Sequence, residues 1–391
     1  MTKKQWLGSA VLILAVTLLC LTDGPTAAQE PKKGADLKPW DAVVSKAITY
    51  LRKTQEKEGS WSHAKSPGCT GIVLTGLLET GKVTADDPMC EKALKYIESL
   101  INVKEGHIAG HDPKVQLLNY VTSINVMALQ AANRPDLYKK VVSNATDYLK
   151  KLQWDDADDK KPEDRKDKKN DFYGGAGYDS KSRPDLSNTQ FFLEALQAAG
   201  VSKNDPAYKK ALVFISRCQN LKGENNDQPW AGKINDGSFI YSAAAGGQTK
   251  VENDKGELLG YGSMTYAGVK SLIYCGVSKD DARVQKAYEW IKKNYTLEYN
   301  PGMPEVRKHW GLFYYYHTLA KCLDVMGVDE VTDAKGQKHD WRKELFAELQ
   351  KRQRADGSWI NEGDKAFGEA DPNLATAFAV LSLSYTRPAK K

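Results

Sequence analysis

Two helical patterns alternate along the chain. The first is amphipathic: in DAVVSKAITYLRKTQ, Val44, Ala47, Ile48 and Leu51 share one stripe, and Lys46, Arg52 and Lys53 fall off it. The pattern returns in CEKALKYIESL, LYKKVVSNATDYLKKLQ, AYKKALVFISRCQ, ARVQKAYEWIKKNY and WRKELFAELQKRQ. Each copy is followed, after a loop, by a helix with little charge: CTGIVLTGLLET, YVTSINVMALQAA, SNTQFFLEALQAA, GSMTYAGVKSLIYC, GLFYYYHTLAKCLDVM and NLATAFAVLSLSY. A helix that is apolar round most of its circumference has to be covered on most sides.

The punctuation agrees with this division. Gly81, Asn133, Gly200, Gly276 and Gly327 stop the second-type helices and suit a left-handed C-terminal cap. Asp87-Pro88 and Asp205-Pro206 open the following outer helices with a capping carboxylate and a proline in the first turn. The expectation is an all-α protein, an α/α toroid of six helical hairpins with six inner and six outer helices. A phrase near the start, TQEKEGSW (54–61), returns near the end as RQRADGSW (352–359). Matching first and last hairpins, with no polar cap at either end, favour a closed ring over an open array. In both copies Gly lets the chain turn, Gln55 or Gln353 can hydrogen-bond the turn, and Trp61 or Trp359 can pack over the helix.

The first residues follow a different rule. Lys3 and Lys4 precede an apolar run from Leu7 to Leu21, and Thr26-Ala27-Ala28 is a small-residue cleavage site. Residues 1–28 therefore read as a signal peptide, 29–40 as a polar linker and 41–391 as a single toroid domain, exported to the periplasm or beyond after cleavage near Ala28. No later segment is apolar enough to span a bilayer. A net charge of +6 over 391 residues makes no case for nucleic acid. Five cysteines remain after cleavage (Cys69, Cys90, Cys218, Cys275 and Cys322), an odd number, mostly at core-like positions, and they read as buried free thiols, with one disulfide open in an oxidising compartment.

The Gln-x-x-x-Gly-Ser-Trp phrase resembles the QW motif of squalene and oxidosqualene cyclases, and the repeat plan extends that resemblance from Asp41 to Tyr385. Protein prenyltransferase β subunits look similar too, with LFYYYHTLAKCLDVMG placing His317 where their inner-helix zinc ligand stands. The chain is most similar to exported prenyltransferase/squalene oxidase repeat proteins. The resemblance implies an α/α barrel and an apolar, isoprenoid-like ligand.

The chemistry of those families is harder to place. Asp156-Ala157-Asp158-Asp159 matches the letters of the cyclase acid motif, but it follows an outer helix and runs into KKPEDRKDKKND, a solvated charge run. The segment that matches the other zinc ligands, GYGSMTYAG, has neither Asp nor Cys, so neither metal nor cofactor is expected. His309 and His317 lie eight residues apart, too far to share a metal if both are helical. Cys69 is followed at the third position by Ile72, which excludes an internal thioester, and GGAG at 174–177 reads as a flexible loop.

The loops from outer to inner helices are the long ones, above all 154–186 and 220–262, which marks one functional face. Residues at the inner-helix starts and in those loops are the expected lining of an aromatic central cavity: Tyr178, Asn188, Gln190, Trp230, Tyr261, Ser263, Tyr266, Trp310, Tyr314 and Asn373. Asp185, His309, His317 and Asp371 are the candidate acids and bases. Three functions stay open at this level. One is an isoprenoid-binding protein or cyclase-like enzyme. A second is a polysaccharide lyase or glycosidase with a glycan in the cavity. The third is an interaction module whose long charged loops meet a protein partner.

Overall fold

The computed structural model describes residues 35–112, 117–157, 166–364 and 366–387, so the expected signal peptide lies outside it. Outer and inner helices alternate. They are α1 (Leu37–Thr54), α2 (Gly68–Glu79), α3 (Pro88–Ser99), α4 (Leu118–Ala131), α5 (Pro135–Leu152), α6 (Leu186–Ala198) and α7 (Pro206–Arg217). After a single turn, α8 (Ala231–Ile234), come α9 (Gly262–Tyr274), α10 (Ala282–Asn294), α11 (Leu312–Val325), α12 (Trp341–Arg352) and α13 (Pro372–Tyr385). A small antiparallel hairpin, β1 (Glu330–Thr332) with β2 (Lys338–Asp340), sits in the connection from α11 to α12 and has no counterpart in the sequence reading. Helix α1 begins at Leu37, inside the stretch expected to be linker, because Trp40 is fully buried and donates its indole N–H to the Leu383 carbonyl at 3.0 Å.

The inner helices pack in the order α2, α4, α6, α9, α11, α13, and α13 returns to pack on α2. The ring is closed. The inner helices are buried nearly all round; every residue of α9 except Ile273 is buried. The outer helices bury one stripe, in α1 Trp40, Val43, Val44, Ala47, Tyr50 and Leu51. All five expected stop residues have positive φ: Gly81 (64°), Asn133 (50°), Gly200 (70°), Gly276 (84°) and Gly327 (64°). Asp87 and Asp205 cap their helices through Met89 N and Ala207 N, as expected.

The repeated phrase is a joint between units. Gln55 Nε2 donates to the Gly59 carbonyl (2.9 Å) in its own loop and to the Met89 carbonyl (2.8 Å) at the start of α3. Gln353 does the same to Gly357 (3.0 Å) and to Val43 in α1 (2.9 Å), which ties the last unit to the first. Two further glutamines repeat the joint without the tryptophan. Gln153 reaches Gly174 (2.8 Å) and Ala207 (3.0 Å), and Gln219 reaches Gly237 (3.0 Å) and Arg283 (2.8 Å). The loop glycine is required at each joint. At Gly174, for example, φ is +84° and an added Cβ would stand 1.8 Å from the Lys210 carbonyl oxygen. The GGAG stretch is therefore part of a tight joint and not a flexible loop. The indoles of Trp61 and Trp359 are fully buried and donate to Leu51 and Leu349, each at 2.8 Å.

A second device fastens the loops to the inner ring. The hydroxyls of Thr70, Thr122, Thr189, Thr265 and Thr376 accept from the loop N–H of Trp61, Ile108, Ala176, Phe239 and Trp359 at 3.0–3.3 Å. In the fifth unit Tyr315 takes that place in the helix and instead donates to the Thr296 carbonyl at 2.7 Å.

Gln153 is 1% exposed, and replacing it with alanine takes the donor from the buried Gly174 carbonyl and breaks the second bond, to the Ala207 carbonyl in α7. We expect Gln153→Ala to lose about 2–3 kcal/mol of stability in urea denaturation. A loss under about 0.5 kcal/mol would show that the amide does not hold the units together.

Candidate functional site

All inner helices point the same way, so their N-terminal ends share one face of the ring with the long loops. A cavity of about 270 Å³ opens there. Its walls come from the first two turns of the inner helices (Cys69, Ile72, Tyr120, Ile124, Ser187, Met264, Leu374, Phe378), from the long loops (Tyr178, Tyr241, Lys250) and from the loop before α13 (Phe367). The rings form a connected set: Tyr120 lies 4.5 Å from Phe191 and 6.5 Å from Tyr178, and Tyr314 lies within 5.8–6.4 Å of Phe191, Phe367 and Phe378. Lys250 is exposed at the rim with its ammonium 5.5 Å over the Tyr241 ring.

Ile72, Ile124 and Phe378 form both the lower wall of this cavity and the upper wall of a constriction. The constriction is lined further by Thr75, Glu79, Met127, Phe191, Glu194, His317, Lys321 and Leu381, and holds about 10 Å³ of free space. Beneath it, Glu79, Met127 and Lys321 also line a recess of about 180 Å³ among the C-terminal ends of α2, α4, α6 and α11. Polar chemistry is concentrated at the constriction. The Glu194 carboxylate pairs with Lys270 and, at 2.5 Å, with Lys321; Glu194 and Lys270 are almost wholly buried. Burial opposes ionisation of Glu194, but the two ammonium groups together hold its carboxyl far below the usual range. Burial pushes the His317 imidazole down to about 3, with Glu194 opposing and both lysines adding to the effect, so the ring is neutral.

The expected site residues separate into three groups. Tyr178 lines the cavity, and His317, 3% exposed, lines the constriction with its ring 6.0 Å from Phe378. Tyr314 and Gln190 stand just behind the wall: the Tyr314 hydroxyl meets Ser187 Oγ at 3.1 Å and accepts from Gln190 Nε2.

The second group consists of joints. Asp185 caps α6 through Asn188 N (2.8 Å) and holds Asn188 Nδ2 (2.9 Å). Asp371 caps α13 through Asn373 N and Leu374 N and pairs with Lys65 at 2.8 Å. Asn373 links Thr54 and Ser62. Ser263 is bonded to Asn300, while Tyr261 and Tyr266 are buried in packing, Tyr266 edge-on to Tyr315.

The third group lies away from the cavity. Helix α11 starts at Leu312, so His309 precedes it; His309 is exposed and borders a shallow outer groove with Phe313, Arg352 and Asn361. Trp310 lies under the Arg307 guanidinium, and Trp230 packs against Gly247 in the long loop. Of the Asp-x-Asp-Asp letters, Asp158 and Asp159 lie outside the described residues.

The sequence reading missed Tyr120, Tyr241, Lys250, Phe367, Phe378 and the ionic cluster. The cluster did leave a signal: Glu194, Lys270 and Lys321 are each isolated charges in helices otherwise almost free of charge, and such charges must pair inside. Cys69 faces the cavity, but burial lifts its thiol to about 12, so it carries no thiolate. Among the described residues, one trio of metal-capable side chains converges, Glu56, Glu58 and His63, with donor atoms within 4.8 Å of one another on the first long loop. It shares no residue with the cavity wall, and the last unit carries Arg354, Asp356 and Asn361 in the same places.

A closed double ring of helices around an axial cavity defines the α/α toroid class. Solved toroids resemble it over nearly their whole length. A variant of the type II terpene cyclase MstE from Scytonema, in complex with its substrate geranylgeranyl dihydroxybenzoate, is 14% identical over 90% of this chain and 97% of that chain, with a TM-score of 0.53. A ligand-free variant of the same enzyme is 12% identical, covering 90% and 97%, with a TM-score of 0.52. An α-1,6-mannanase from Salegentibacter sp. is 12% identical, covering 89% and 98%, with a TM-score of 0.50. Likeness at this identity establishes the fold and leaves the activity open. No family model matches the sequence, and no curated protein matches it.

Asp185 supplies a pH test of the wall. It is 1% exposed, and burial lifts its carboxyl from 3.8 to about 6, against the lowering effect of Asn188 and Tyr241. A carboxyl with a raised folded-state pKa binds its proton more tightly in the folded protein, so its contribution to stability is full at low pH and is lost as pH rises towards 6. Asp185→Asn abolishes the ionisation and keeps an oxygen for the cap. Its stability relative to wild type should improve by about 2 kcal/mol between about pH 4 and pH 7, read from urea midpoints. The same offset at both pH values would show that the carboxyl is not raised.

Proposed function

We propose that the protein is exported and binds an apolar, isoprenoid-like molecule in the central cavity on its long-loop face. The observation that carries this reading is the wall. It is built of tyrosine, phenylalanine, isoleucine, leucine and methionine, with Ser66, Ser187 and Lys250 as its polar members. The volume of about 270 Å³ lies just under the usual range for small-molecule pockets, which suits a slender chain rather than a fused ring system. The N-terminal sequence supports export, and no described helix is long and apolar enough to cross a membrane. One protonatable group borders the wall, Asp185 behind Tyr241.

The carbohydrate reading needs two carboxylates facing each other across the substrate. Among the described residues, no aspartate or glutamate lines the cavity, so the wall favours the apolar ligand.

Mass spectrometry of molecules extracted from the mature protein, purified from its native envelope, should find an isoprenoid or similar lipid near one per chain. Leu374, half-buried on the cavity wall, offers a matched control. Leu374→Trp should fill the cavity and weaken binding of that lipid at least about tenfold while leaving the fold intact by circular dichroism. Recovery of a bound oligosaccharide, or undiminished lipid binding by Leu374→Trp, would refute the reading.

A further inference from the structure

The floor of the central cavity is closed. Ile72, Ile124 and Phe378 stand between it and the constriction below, where only about 10 Å³ is free. A chain-shaped ligand therefore enters and leaves at the long-loop mouth, and a polar end stays there, in contact with water. Most polar groups of the wall are engaged with one another. Ser187 Oγ meets the Tyr314 hydroxyl at 3.1 Å, Ser66 Oγ accepts from Gly68 N at 3.2 Å, and the Tyr178 and Tyr241 hydroxyls are hydrogen-bonded together. Lys250 differs. It is exposed at the mouth with its ammonium 5.5 Å over the Tyr241 ring, and no carboxylate among the described residues pairs with it.

The main chain on both sides of Lys250 is held. Ser242 and Gln248 exchange N–H···O bonds of 3.0 and 2.8 Å, Leu259 N donates to the Val251 carbonyl at 3.0 Å, and Thr249 Oγ1 donates to the Leu259 carbonyl at 2.6 Å. The charges next to the wall are already opposed. Lys65, beside Ser66, pairs with Asp371 at 2.8 Å, and Arg183 faces the Asp185 carboxyl behind Tyr241. Among the described residues, Lys250 is the one charged side chain of the wall itself.

We infer that the molecule held in the central cavity is a long-chain carboxylate, with its chain among Tyr120, Tyr178 and Phe378 and its carboxylate at the mouth against the Lys250 ammonium. The inference rests on the cavity reading above and names the polar end of that ligand. One cation matches one negative charge. A diphosphate carries several charges and would need further cations that the wall lacks. A neutral head would leave the ammonium to water and gain no ion pair from it.

The test compares farnesoate with its methyl ester, which share a chain and differ in the charge. Affinities are measured by calorimetry on the mature protein and on Lys250→Met and Lys250→Arg. Wild type should bind farnesoate about fivefold more tightly than the ester, the scale of one partly solvated ion pair. Lys250→Met should abolish that preference while binding the ester as wild type does, and Lys250→Arg should keep it. Lys250 is exposed, so both variants should fold as wild type does, checked by circular dichroism. Equal affinity of wild type for the two probes would overturn the inference and leave the cavity reading intact. A preference for farnesoate that survives Lys250→Met would overturn it too, because the charge would then be read elsewhere. Failure of both probes to bind would overturn the cavity reading together with this one.

Discussion

Each clasping glutamine amide gives its two hydrogens to two main-chain carbonyls, one in its own loop and one in the first two turns of a neighbouring outer helix. The loop carbonyl has no helical N–H to accept from, and buried main-chain groups must be paired somewhere. A short side chain with two N–H groups satisfies both and sets how far apart two outer helices stand. The same joint at Gln55, Gln153, Gln219 and Gln353 sets the curvature of the outer ring, and the last of the four closes it onto Val43. Six nearly uncharged inner helices can then be covered on all sides at once, which no single hairpin achieves.

Within that apolar ring the buried ion pairs between inner helices lie at one level. Glu194, Lys270 and Lys321 come from three inner helices, α6, α9 and α11, that lie next to one another in the ring. Buried ions of this kind gain little net stability over a well-packed apolar core, but leaving one unpaired is costly, so they resist any change in the relative height of the helices. Both lysines lie in the C-terminal halves of their helices, where the helix dipole favours positive charge. The level divides the axis into an aromatic cavity above and a polar recess below, and His317 stands at the boundary.

The fold was legible because its signals are local. Helical period, glycine stops and aspartate caps each depend on a few consecutive residues, and the structure places them where the pattern does. The repeated Gln-Gly-Trp phrase revealed two joints; the two without tryptophan were hidden because Gln153 and its glycine are separated by a long charged loop. The candidate site was legible only in part. Asp185 and Asp371 stand at inner-helix starts, but the same position makes them caps, and sequence does not separate a capping carboxylate from a reactive one. His309 was placed by counting along a helix that begins only at Leu312, after Gly311 turns the chain with φ of +64°. Tyr241 and Phe367 reach the cavity from loops, whose course depends on contacts distant in sequence.

Closure has one more consequence. The main chain at Ala35 donates to the carbonyl of Thr386 at 3.3 Å, and Trp40 reaches Leu383, so the first and last described segments run side by side. A ring built this way has no privileged beginning. A short link joining residues 387 and 35, with a new opening at an exposed connection such as the one around Gly200, would leave the contacts between units as they are. The order of the units along the gene is then a matter of history, and the molecule itself is specified by which unit neighbours which.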